Sequence, residues 1–232
     1  HGGSPHGKAA GQGSLLEVAG LLTYGEPPSE QELTAFKANI RRHTLRHEDM
    51  RAFFSGFPTD AHPMAVLSSA VAALSTFYQD SLDPFDPEHV ESSTIRLLAK
   101  MPTIAAYAHK KSVGQPFLYP DNNLGYVDNF LRMTFGFPAE EYVVNPVASK
   151  ALNMLFLLHA DHEQNCSTST VRMVGSAHAN LFVSVSAGVA ALLGPLHGGA
   201  NQSVLEMLEQ ITADGGDVAR FVERVKNKEP GV

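Results

Sequence analysis

Only one cysteine, Cys166, occurs in 232 residues, so no disulfide can close within the chain, which fits a reducing compartment. Clustered positive charge is also missing. Lysine and arginine number 17 against 24 acidic residues, a net charge of −7. A nucleic-acid surface needs grouped cations to displace counterions, so that class of partner is excluded. The one basic group, Arg41, Arg42 and Arg46, alternates with apolar and acidic neighbours in the manner of a solvated helix face. Long apolar runs are absent too. The longest, residues 181–193, is shorter than a membrane span and contains Ser184 and Ser186. No signal peptide is visible at the start. These absences describe a soluble, cytoplasmic protein without a membrane partner. Finally, no segment alternates cleanly between apolar and polar residues, so strands are not expected.

With 44% hydrophobic residues the chain can bury a substantial core. Residues 1–14, HGGSPHGKAAGQGS, have no apolar period and read as a tag or linker, which leaves residues 15–232 as the folded unit. Helix signals recur along that unit. Residues 15–24 are apolar and end at Gly25, Pro27 and Pro28. Ser29 stands three residues before Glu32, a capping-box spacing, and opens a helix carrying Leu33, Phe36 and Ile40 on one face. A helix around residues 46–54 follows, and Pro63 begins another that reaches Tyr78. A long helix after Asp83–Glu88 contains Pro102, which should kink or split it. Residues 126–135 are helical again. Residues 147–160 are apolar nearly all round, the pattern of a helix buried on most sides. Residues 167–193 read as one helix dense in small residues, suited to a close helix crossing, and helices over 201–211 and 217–226 complete an all-α fold.

Chemistry-bearing residues gather at the two ends of the small-residue segment. At its start stands HADHEQNCSTSTVR, residues 159–172. His159 and His162 are spaced i, i+3 and share a helix face. So many polar groups after an apolar run suggest a polar pocket in the core. Three readings are open: helix-end capping, a metal site, or a nucleophile at Cys166 activated by His162. The run matches neither H-E-x-x-H nor H-x-x-E-H, which disfavours a metal. At the other end stands GPLHGGAN, residues 194–201, with His197 followed by Gly198 and Gly199, which permit close approach to the ring. A helix N-terminus near Asn201 would offer donors to an anion. The run lacks the G-K-[ST] ending of a phosphate loop.

Together, HADHEQNCSTSTVR and GPLHGGANQ resemble the bacterial branch of the citrate synthase family, and the similarity extends from about Leu15, LLEVAGLLTYGEPPS, to the end. The resemblance implies a multi-helical large domain, with the small domain absent and the chain truncated at both ends. It implies condensation of oxaloacetate with acetyl-CoA, a substrate rather than a cofactor, and no metal. His197 would donate to the thioester oxygen. His162 would hydrogen-bond oxaloacetate, with Asn165 and His159 as further substrate contacts. A homo-oligomer, either a dimer or a dimer-based hexamer, would be built on the small-residue helix and its neighbours.

The family pattern continues into a Gly-His-Arg run, a base aspartate and an arginine clamp, none of which occurs here, so this stretch alone is expected to be inactive. Two other functions fit the same residues: 2-methylcitrate synthase, which takes propionyl-CoA, and a non-catalytic helical assembly module.

Overall fold

The computed structural model describes residues 13–45, 47–161 and 163–229. All but two residues of the segment read as a tag or linker lie outside this set, as do Arg46 and His162. Among the described residues the regular structure is helical: α1 (Leu15–Tyr24), α2 (Glu30–His43), α3 (Asp49–Ser55), α4 (Pro63–Phe77), α5 (Pro87–Ser112), α6 (Tyr126–Phe135), α7 (Pro146–His159), α8 (Cys166–Gly175), α9 (Leu181–Ala191), α10 (Gly198–Ala213) and α11 (Val218–Lys226), with a short 3-10 turn at Gln79–Ser81. None of these helices is long and apolar enough to cross a membrane.

Local chemistry starts these helices where the sequence suggests. Ser29 and Glu32 form the expected capping box, and Ser14 and Glu17 form a second at the start of α1. Pro63, Pro87 and Pro146 occupy first-turn positions behind the capping side chains of His62, Asp86 and Asn145.

The long helix α5 is the axis of the fold. It packs against α2, α3, α4, α6 and α9, while α9 also lies along α4 and α8. Met50 and Phe54 of α3, Val71 and Leu74 of α4, Ile104 and Tyr107 of α5, Met133 of α6 and Phe182 of α9 form the main core. Tyr107 and Phe117 stack at 4.3 Å, and Phe54 meets both rings edge-on. A smaller core joins Leu16, Phe36, Ile40, Ile95 and Ala99.

Pro102 does not split α5, which runs unbroken from Pro87 to Ser112. Proline has no N–H, so the carbonyl four residues back, Leu98 O, loses its helical donor. Tyr126 supplies one: its hydroxyl donates to Leu98 O at 2.7 Å, and burial raises the phenol's pKa, keeping it protonated. Tyr126→Phe is therefore expected to cost about 1–3 kcal/mol by leaving a buried acceptor unpaired. The cost should shrink in a Pro102→Ala background, where residue 102 regains its N–H. Urea unfolding of the four variants in a double-mutant cycle measures the coupling.

Two buried lysines close other helix ends. Lys110 Nζ donates to Gly136 O and Gln115 Oε1, at 2.6 and 2.7 Å. Lys100 Nζ donates to His43 O and Leu45 O, both at 2.6 Å, just past the end of α2. Burial, helped by nearby Arg96, lowers the Lys100 pKa from 10.5 to about 8. Between those two values the unfolded chain holds the proton that the folded chain has shed. Folding stability from this group therefore rises with pH across that window and is lost as pH falls through about 8. Denaturation midpoints at pH 7.5 and 9.5 should reveal a rise that Lys100→Met removes.

Two expectations are corrected. Residues 167–193 are two helices, α8 and α9, because Asn180 caps a fresh start through Val183 N–H after a turn in which His178 takes a φ of 61°. Helix α7 is not buried on most sides: only Leu157 is buried, whereas Val147, Met154, Leu155 and Leu158 are 75%, 38%, 51% and 56% exposed. An all-round apolar pattern reports that a helix avoids water, not which chain covers it.

Candidate active site

Helix α7 ends at His159, whose ring is exposed and whose Nδ1 lies 2.7 Å from Leu155 O. A carbonyl only accepts, so Nδ1 carries the proton in this contact. His162 lies outside the described residues. Beyond it the chain turns sharply, with Glu163 in the left-handed region at φ 54° and its N–H donated to Asp161 Oδ1. Such a φ is strained for a residue with a side chain, and strain of this kind gathers at functional turns. Asp161, Glu163 and Gln164 are exposed, so this stretch is a solvent-facing rim and not the polar pocket in the core that the sequence suggests. Asn165 caps α8: its Oδ1 accepts from Thr168 N–H at 3.0 Å.

In the first turn of α8, Ser167 meets His197. Ser167 Oγ lies 2.8 Å from His197 Nε2 and 2.8 Å from Gly188 O, joining α8, α9 and the start of α10 at one point. A hydroxyl has one proton to give. If it goes to Gly188 O, His197 Nε2–H donates to Ser167 and Nδ1 presents a lone pair. If it goes to Nε2, the neutral ring carries its proton on Nδ1, opposite the serine. Ser167 thus couples to the tautomer of His197. Its role was not legible in the sequence, because a serine in a Ser/Thr-rich run has no mark that separates it from its neighbours.

The turn that carries His197 is built on close backbone contacts. A Cβ on Gly198 would strike the Leu192 carbonyl, so glycine is required there by packing, and one on Gly199 would sit tightly, 3.0 Å from Gly194 O. Gly199 N–H bonds Gly194 O and Ala200 N–H bonds His197 O, each at 3.1 Å. Helix α10 therefore starts at Gly198, earlier than the sequence suggests, and those two amide donors are already used internally. Leu196, directly before His197, is 98% exposed. Cys166 is exposed at the first position of α8. Among the described residues no group of three or more His, Cys, Asp or Glu side chains could hold a metal.

Comparison with known proteins decides the lineage. The family model for the citrate synthase C-terminal domain matches residues 3–232. The chain belongs to the citrate synthase family. Citrate synthase 1 of Mycobacterium tuberculosis is 64% identical over 230 residues, covering 99% of this chain and 53% of the relative. Citrate synthase of Corynebacterium glutamicum is 58% identical over 217 residues, covering 93% and 50%. The crystal structure of citrate synthase from Pyrobaculum aerophilum superimposes with a TM-score of 0.80 at 33% identity, over 89% of this chain and 52% of that one. The chain thus spans about half the length of the curated relatives it matches. The family match begins at residue 3, inside the segment read as a tag or linker.

Proposed function

We propose that this chain forms part of an acyltransferase that condenses oxaloacetate with acetyl-CoA and hydrolyses the citryl thioester to citrate and free CoA. The supporting observation is the Ser167–His197 contact at the junction of three helices, in a chain of the citrate synthase family. The reaction begins with loss of a methyl proton alpha to the thioester, which places negative charge on the thioester oxygen. A donor fixed at that oxygen lowers the barrier. In this reading His197 is that donor, through Nδ1–H, which requires the Ser167 proton to turn from Gly188 O to Nε2. The enol carbon then attacks the oxaloacetate ketone, and water cleaves the thioester.

His162 is assigned to oxaloacetate, with Asn165 and His159 as supporting contacts. Asn165 Oδ1 accepts from Thr168 N–H, and His159 Nδ1 donates to Leu155 O. The base and the carboxylate clamp are assigned to sequence beyond the family motifs present in these residues. The reading needs no cofactor besides the acyl-CoA substrate, and it places the protein in the cytoplasm as a homodimer or a dimer-based hexamer.

The deciding assay follows CoA thiol release with a thiol reagent in a protein of the relatives' full length. Oxaloacetate and acetyl-CoA together should give rapid release, and either alone none. Release supported by propionyl-CoA and not by acetyl-CoA would transfer the assignment to 2-methylcitrate synthesis. No release with either would leave a non-catalytic helical module.

A further inference from the structure

We infer that Gly188 is a positioning residue for His197, acting through the spacing between α8 and α9, and that Val171 is the side chain that makes glycine necessary there. The inference rests on the functional reading only for its kinetic consequence; the geometry stands without it.

Helices α8 and α9 pack along each other, and α8 buries none of its residues fully, so its position depends on this contact. Gly188 is buried at the crossing. A Cβ built on it would lie 2.5 Å from Val171 Cγ2 and 3.3 Å from Ser167 O. The first distance is well inside van der Waals contact. Val171 is β-branched, so its χ1 is stiff in a helix and the methyl cannot easily swing aside. Alanine at 188 would therefore push α8 away from α9, including its first turn, whose Ser167 carbonyl is also crowded.

That turn carries Ser167. Its Oγ lies 2.8 Å from both His197 Nε2 and Gly188 O, so a displacement of several tenths of an ångström lengthens both distances, whichever of the two carries the serine proton, toward the limit for a hydrogen bond. The missing side chain at 188 and the carbonyl of the same residue thus serve one purpose. The first lets the helices approach, and the second meets Ser167 at the distance that approach allows. Removal of the Val171 methyls should restore the space that alanine at 188 takes up.

The test reads the His197 ring directly, by nitrogen-15 NMR of the imidazole in the chain of residues 1–232. The tautomer pattern of the parent protein provides the reference, and Ser167→Ala shows the pattern of a ring without its serine. Gly188→Ala is expected to move the His197 shifts onto those of Ser167→Ala. Val171→Ala alone should leave the parent pattern, and Gly188→Ala with Val171→Ala should return to it. Parent-like His197 shifts in a folded Gly188→Ala protein overturn the inference. If Gly188→Ala does not fold, the double variant still decides: a folded double variant with the Ser167→Ala pattern overturns it, and one with the parent pattern supports it.

In the full-length protein, Gly188→Ala should lower kcat about as much as Ser167→Ala does, with KM for oxaloacetate little changed, because it acts through loss of the same contact. Loss of CoA release in every variant including the parent would count against the functional reading and leave the NMR result intact.

Discussion

Replacing His197 with alanine in a protein of the relatives' full length is expected to lower kcat about 10²–10³-fold, the usual effect of removing one donor from a developing oxyanion. The effect should fall on kcat and kcat/KM about equally, because the donor is needed most when charge accumulates on the thioester oxygen and little when substrate first binds. Ser167→Ala should give a smaller loss in the same direction. It leaves the ring in place but removes the partner 2.8 Å from Nε2 that biases the tautomer. His197→Gln, which keeps an N–H donor on a side chain of different reach, should recover only part of the activity. Thiol release under saturating oxaloacetate and varied acetyl-CoA separates the two kinetic constants. A His197→Ala protein with an unchanged kcat and a raised KM would show that His197 binds substrate without stabilising the enol, and the role of donor would then pass to another group.

The helices were legible for physical reasons that act locally. Ser29 with Glu32, and Pro63 behind His62, mark starts through interactions spanning three residues, and the structure begins helices at those places. Gly25, with a φ of 84°, marks an end for the same kind of reason. Features that depend on a distant partner were not legible. Pro102 predicts a break until Tyr126, 24 residues later in the chain, supplies the missing donor to Leu98 O. Ser176–Asn180 interrupts an otherwise continuous apolar pattern because a side-chain cap at Asn180 outweighs it.

The candidate site divides in the same way. His197 stands out because two glycines follow it, and Leu192 O and Gly194 O explain both. Ser167 does not stand out, since its partner lies 30 residues away and is defined by where α8 crosses α9. Small residues in α9 also serve contacts within the chain: Gly188 faces Val171, and Ser186 donates to Ser68 O of α4.

The exposed stripe on α7 is the surface we propose for the dimer, and charge placed on it is expected to dissociate that dimer. At 100° per residue, Val147, Ala151, Met154 and Leu158 fall on one face, with Leu155 at its edge, while Phe156 and Leu157 point elsewhere. Phe156 meets Phe130 at 6.0 Å, and α7 packs on α1 and α6, so the body of the chain already occupies the opposite side. Met173 of α8 is likewise 73% exposed. A two-fold interface uses the same patch on both copies, so one substitution is felt twice. Burying a leucine side chain contributes about 1.5–3 kcal/mol, and Leu158→Glu would forfeit that in each copy and add a buried charge. The combined loss of at least about 3–6 kcal/mol weakens association roughly 10²–10⁴-fold. Sedimentation equilibrium at micromolar concentration should find a dimer for the parent chain and a monomer for Leu158→Glu, with helical circular dichroism unchanged because the residue is 56% exposed in the isolated fold. A parent chain that sediments as a monomer would remove the dimer from the functional reading, and a Leu158→Glu protein that stays dimeric would move the interface away from α7.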